Sequence, residues 1–161
     1  MEKPVYLSYL DEAEKKLKTA DHLIYMTYPM VQDKKILLTI LSEINLSVLN
    51  TINAILQYEY LYKRIELTKS GKDNLLIFFT ECAPKYNITP TETKKIKDII
   101  HLAEIHKKSP MEFLKEDKII ILSESLQPRS ISVENIKEYL LTTKEVFVKT
   151  AYRLINNRNI I

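Results

Sequence analysis

The sequence predicts an all-α protein, a bundle of five to six helices around one long central second helix running from about Lys34 to about Lys63. Three observations carry this expectation. The 161 residues contain one glycine, Gly71, against six prolines, and the tight hairpins of a sheet usually recruit glycine to supply positive φ. Apolar residues recur at steps of three and four along most of the chain. Two boundaries, Thr89-Pro90-Thr91-Glu92 and Ser109-Pro110-Met111-Glu112, match a capping box with proline at the first helical position. The length suits a single domain spanning 1–161. Hydrophobic residues make up 45% and charged residues 28%, the balance of a globular chain.

The first helix is expected to start near Pro4, which a first helical turn tolerates. Tyr6, Leu10, Ala13, Leu17, Ala20 and Ile24 then alternate at steps of four and three, a seam like that of a coiled coil. Pro29 removes an amide and disfavours α geometry at Tyr28, so the helix should stop there. A short link, Met30 to Gln32, leads to Asp33 as N-cap of the next helix, and helices joined this briefly should form an antiparallel hairpin.

Thirty residues of the second helix would reach roughly 45 Å. On a helical wheel Leu37, Leu41, Ile44, Val48, Ile52 and Ile55 share one stripe, widened by Leu38, Leu49 and Leu56. Thr39, Glu43, Ser47, Asn50, Asn53 and Gln57 lie opposite. A face this broad can touch two neighbours at once, which makes this helix the spine of the bundle.

A shorter apolar helix is expected from about Asp73 to Ala83, then helices from about 90 to 107 and from 110, at the two capping boxes. Between residues 117 and 131 the reading stays open. The run Ile119 to Leu122 fits a buried helix or an extended segment, and its β-branched content together with Gln127-Pro128 favours the extended form. A last helix begins after Ser132 and should turn Val133, Ile136, Leu140, Phe147, Ala151 and Leu154 inward.

Several function classes find no support. Cys82 is the one cysteine and reads as a buried thiol in an apolar stretch. The opening MEKPVYLSYLDEAEKK places acids where a signal peptide needs an apolar core. No apolar run approaches the ~18–20 residues of a membrane span, so the expected location is cytoplasmic, without a membrane partner. Net charge is +3, with bases and acids evenly mixed along the chain, the pattern of a solvated surface. Asp98, His101 and Glu104 form at most a fragment of a metal-binding pattern, so no metal site is expected. Phosphate loops, dinucleotide fingerprints and hydrolase elbows are missing. Neither a cofactor, a catalytic set nor a small-molecule substrate is expected.

Asn45 falls within the apolar arc of the long helix, where an unbonded amide costs a few kcal/mol. It should make a register-setting contact to another helix or a second subunit, or line a polar pocket. Glu59 also projects toward the core, near enough to the helix end to reach solvent. The stretch Tyr58-Glu59-Tyr60-Leu61-Tyr62-Lys63-Arg64 mixes aromatics with bases, as RNA-binding surfaces do. Lys63, Arg64, Lys149, Arg153 and Arg158 are therefore the candidate nucleic-acid contacts.

The hairpin from Leu10 through YPMVQDKKILLTIL to Tyr58 resembles HEPN-type helical domains and small archaeal helical proteins of that build, over about half the chain. The stretch His106-Lys107-Lys108-Ser109-Pro110-Met111-Glu112-Phe113 also looks like a family motif, without an activity attached. The resemblance implies a helical, often dimeric fold. Ribonucleases of this class carry an arginine followed four to six residues later by histidine, and none of Arg64, Arg129, Arg153 or Arg158 is so followed. The expectation is thus a non-catalytic bundle acting through protein–protein association as a homodimer, with HEPN-like RNA binding or processing as the alternative.

Overall fold

The computed structural model describes residues 2–156. The fold is predominantly helical, as expected. Helix α1 (Val5–His22) runs into a π-helical turn (Leu23–Thr27) and a short α2 (Tyr28–Val31), followed by the long α3 (Ile36–Leu61). Helix α4 (Gly71–Ile77) continues through a second π turn (Phe78–Cys82) into a 3₁₀ turn (Ala83–Tyr86). Helix α5 (Pro90–Lys108), three strands β1 (Glu112–Lys115), β2 (Lys118–Leu122) and β3 (Pro128–Ile131), and α6 (Val133–Asn156) complete the chain.

Pro29 does not end the first helix. The amide of Tyr28 bonds the carbonyl of Leu23, five residues back, and the widened turn carries the chain past the proline. A regular α-helix would press the proline ring against the carbonyl four residues earlier; the π turn re-registers that ladder. The true stop is Gln32, left-handed at φ 53, whose amide closes on the Tyr28 carbonyl at 2.8 Å. The same device recurs before Pro84. Ala83 bonds Phe78 across a π turn, and Asn87 closes the segment at φ 57.

Helix α3 is the spine, a turn shorter than expected. Asp33 caps the turn that leads into it, its Oδ1 accepting from the Lys35 amide at 2.9 Å. The stripe from Leu37 to Ile55 is buried throughout. The opposite side is less polar in practice than its composition suggests. Ser47 is fully buried and donates to the Ala13 carbonyl of α1 at 2.8 Å, so small residues let these two helices approach closely. Buried side chains from α1, α3, α5, α6 and the sheet form one core cluster. By length and composition α3 does qualify as a membrane-crossing helix, against the reading that no run is long enough. Here half of the qualifying window is buried inside the fold, because neighbours cover α3 on several sides.

The capping box at Thr89 forms in full, with the Glu92 amide donating to the Thr89 hydroxyl and the Glu92 carboxylate accepting from the Thr89 amide. The one at Ser109 does not. Ser109 Oγ bonds both the amide and the carbonyl of Met111, while Glu112 turns to the Nδ1 of His106 on the last turn of α5. The expected helix from 110 is therefore a strand. Residues 112–131 form an antiparallel sheet in the order β1-β2-β3, with Phe113 opposite Ile120 and Ile119 opposite Ile131. Ile119, Ile121 and Ile131 are buried, which bears out the extended reading of the isoleucine run.

The scarcity of glycine did not prevent hairpins. Glu116 at φ 55 and Leu126 at φ 62 take the left-handed positions that glycine usually fills. The first hairpin tip is further held by Lys34, which reaches the Glu116 carbonyl at 2.9 Å and the Asp117 carboxylate at 3.2 Å.

Candidate functional site

The C-terminal end of α3 builds the most unusual polar group. Lys63 is left-handed at φ 58, and the amide of Arg64 returns to the Glu59 carbonyl at 3.0 Å, a Schellman-type closure. This closure swings the Arg64 side chain back over the helix onto the Glu59 carboxylate and over the packed pair of rings Tyr58 and Tyr62, 5.3 and 5.1 Å from their centroids. From the other side Tyr86, in the 3₁₀ turn, donates its hydroxyl to Glu59 Oε1 at 2.8 Å. Arg153 of α6 covers the Tyr86 ring at 4.5 Å and donates to the Lys85 carbonyl.

Glu59 is 1% exposed, so it does not reach solvent at the helix end. Burial alone would raise its pKa; hydrogen bonds from Arg64 and Tyr86, with the charges of Arg64 and Arg153, outweigh burial and hold it below its ordinary value. Burial and the Glu59 charge push the Cys82 thiol up to about 11 and raise the Tyr86 hydroxyl too. A carboxylate saturated by donors is a poor base, and a thiol kept protonated is a poor nucleophile. Chemically the cluster is a clamp that ties α3, the 3₁₀ turn and α6 together.

The candidate basic residues are not brought together as one free strip. Lys63 lines a groove of about 580 Å³ with Val5, Tyr60 and Leu61 and a smaller one of about 400 Å³ with Arg64, Glu66 and Glu81. Arg64 is spent on Glu59. Lys149 bonds the Asn87 carbonyl at 2.8 Å and the Glu92 carboxylate at 2.6 Å, and burial of Glu92 is again outweighed by its partners, which lower its pKa. Lys149 and Arg153 do share another groove, of about 550 Å³, with Tyr86, Asn87, Val148 and Tyr152. Arg158 lies outside the described residues. Asn45 is buried, and its Oδ1 has no hydrogen-bond partner among the described residues. His106 is engaged by Glu112, and among the described residues no three His, Cys, Asp or Glu side chains gather as a metal site requires.

The feature that sequence reasoning missed is the outer face of α6. Its inner face packs as expected, with Ile136, Leu140 and Leu154 buried and Val133, Phe147 and Ala151 half-buried. Yet Leu141, Val148, Tyr152 and Ile155 are 58, 62, 71 and 50% exposed. Their spacing of seven, four and three was legible, but attention to the inward stripe hid a second one on the same helix. A surface helix ordinarily turns polar residues outward.

No family model matches this chain, and neither the curated proteins nor the solved structures contain a match. The likeness to HEPN-type domains accordingly rests on helix pattern alone.

Proposed function

We propose that this protein acts by binding and not by catalysis, associating as a homodimer through the outer face of α6. The observation that carries the reading is the row Leu141, Val148, Tyr152 and Ile155, four large apolar side chains left at least half exposed on one helix. Contiguous exposed apolar surface of this kind marks interaction sites, and the spacing is that of helices that pair along a seam. The clamp around Glu59 supports the non-catalytic part, since its titratable groups are held in their unreactive forms. Sedimentation equilibrium tests the reading. The wild type should sediment as a dimer, and the double variant Val148→Glu with Tyr152→Glu as a monomer with unchanged helical circular dichroism. A wild type that stays monomeric at ~100 μM, far above the dissociation constant of a specific complex, would sink it.

The alternative, RNA binding by a HEPN-like domain, draws on the groove where Lys149 and Arg153 adjoin the exposed Tyr152. It requires an affinity for single-stranded RNA that falls steeply with salt and is weakened by Arg153→Gln. Salt-independent retention of RNA would count against it.

A further inference from the structure

We propose that the open edge of β1 docks an extended segment of another protein, acidic and apolar in character, as a fourth strand of the sheet. The inference concerns a different element from α6 and does not rest on the homodimer. Along an antiparallel pair, residues that exchange backbone bonds alternate with residues whose amides and carbonyls turn the other way. The Leu122 amide donates to the Met111 carbonyl at 3.1 Å, which sets the phase of the ladder between β1 and β2. Phe113 and Lys115 therefore bond inward, to Ile120 and Lys118, while Glu112 and Leu114 turn their backbone groups out from the sheet. Among the described residues nothing else bonds those amides and carbonyls. Strand addition to an exposed edge uses such groups, with main-chain bonds for affinity and alternate side chains for specificity.

The sheet's other edge offers less. The Ser123 amide donates to the Gln127 carbonyl at 3.0 Å, so Pro128 turns its nitrogen outward from β3, and a proline has no donor there. Natural sheets guard their edges in this way, and β1 carries no proline at either outward position. Side chains define the strand that fits. Met111 and Phe113 are exposed on one face of the edge and Leu114 on the other, so an added strand gains apolar cross-strand contacts on both. Lys107 and Lys108 end the helix leading into β1, and Lys115 and Lys118 close the hairpin, all of them exposed. Of the nearby acids, Glu112 is bonded to His106 and Asp117 to Lys34. The surplus is positive, which calls for acids flanking an apolar centre. A second copy of β1 fits less well. Centred on Glu112 or on Leu114, self-pairing sets glutamate against glutamate; centred on Phe113, it sets Lys115 against methionine.

The probe is a blocked synthetic peptide, Ser-Asp-Val-Ile-Val-Asp-Ser, which presents the same pattern in either strand direction. Amide hydrogen exchange followed by NMR on the full chain reads its binding residue by residue. Peptide at about ten times its Kd should slow exchange at Glu112 and Leu114 about tenfold, with a smaller change at Phe113, whose amide is already bonded to Ile120. Leu114→Pro removes an outward amide and spares every bond to β2, so helical circular dichroism should be unchanged while peptide affinity falls about tenfold or more. Leu114→Val keeps the amide and should bind within about twofold. Lys115→Glu should weaken binding about two- to fivefold. A peptide methylated on its backbone nitrogens should not bind, and it gives the same reading should the proline variant misfold. The proposal is overturned by exchange that stays unchanged at ~1 mM peptide, a weak affinity even for a single strand, or by full affinity in Leu114→Pro. Protection of Glu112 and Leu114 that appears without peptide and grows with protein concentration assigns the edge to a second copy and overturns the choice of partner. Sedimentation of the α6 variants bears on neither result, so the two proposals fail separately.

Discussion

Glu59 keeps its charge where water scarcely reaches, and it does so because Arg64 and Tyr86 approach it from opposite sides. Glu59→Gln keeps a hydrogen-bond acceptor for Tyr86 but strips Arg64 of its anion, and should lower stability by about 1–3 kcal/mol in urea unfolding. The pH dependence follows from the lowered pKa. The contribution of Glu59 is fully present above the ordinary carboxylate range, near pH 4–5, and is lost as pH falls through the depressed folded value. Urea midpoints between pH 7 and pH 2 should therefore decline less steeply in the variant than in the wild type. Cys82 offers an independent check, because a buried thiol raised to about 11 should resist a thiol reagent in the native protein and react at once in denaturant. Sequence reasoning could place Glu59 on the core side of α3. It could not supply Tyr86, 27 residues later, whose approach depends on the π turn and 3₁₀ turn between Phe78 and Tyr86. Arg64 was legible only as a surface base, since its return onto Glu59 hinges on the left-handed Lys63.

Backbone demand and residue type are mismatched at the level of elements. Gly71 occupies the first position of α4, with φ outside the left-handed range and open space where a Cβ would stand. The five left-handed residues are Gln32, Lys63, Asn87, Glu116 and Leu126 among those described. Leu126→Gly relieves about 1–2 kcal/mol of left-handed strain and gives back about 0.4–1 kcal/mol by widening the unfolded ensemble, a net gain of roughly 0.5–1 kcal/mol, while Gly71→Ala should gain about 0.4–1 kcal/mol by narrowing that ensemble. In a protein of this size either gain appears as a rise of roughly 2–4 °C in Tm per kcal/mol, and a fall in either variant would contradict the argument. The same mismatch explains what was misread in the chain. Helices α1, α3, α5 and α6 announce themselves through periodicity and the Thr89 cap, all of them local signals. The strand at Glu112 imitates a helix start because Ser109-Pro110-Met111-Glu112 carries every capping residue, and only the pull of His106 on Glu112 and pairing with the isoleucine strand decide otherwise. Pro29 misleads for a related reason: a π turn absorbs it, and no residue upstream signals that turn.

The whole molecule is organised around α3, which α1, α5 and α6 cover and whose only acidic or basic side chains are Glu43 and Glu59. Among the described residues Glu43 Oε2 and Asn45 Oδ1 are both buried without a hydrogen bond; Glu43 at least faces the Lys16 ammonium at 3.5 Å, whereas Asn45 faces no charge. Its Oδ1 is buried and unpartnered, and such an acceptor forfeits about 1–3 kcal/mol of hydration without return. Asn45→Leu removes that penalty and adds apolar burial, while the bulkier branched end has to find room in a packed interior, an opposing effect of about 1–3 kcal/mol where the core does not relax. Because 5% of the residue still reaches the surface, the packing has some give, and the net expectation is a gain of about 1 kcal/mol in urea unfolding. Ile44→Ala, one position earlier and fully buried, should lose about 2–5 kcal/mol and serves as the packing control. The pair of results decides what kind of core this is. A stabilising Asn45→Leu means that the amide is a burden the bundle carries on a spine otherwise built for apolar contact. A loss approaching that of the alanine variant has two sources, overpacking by the larger side chain or an amide bonded across a subunit contact, and only the second makes the loss grow with protein concentration.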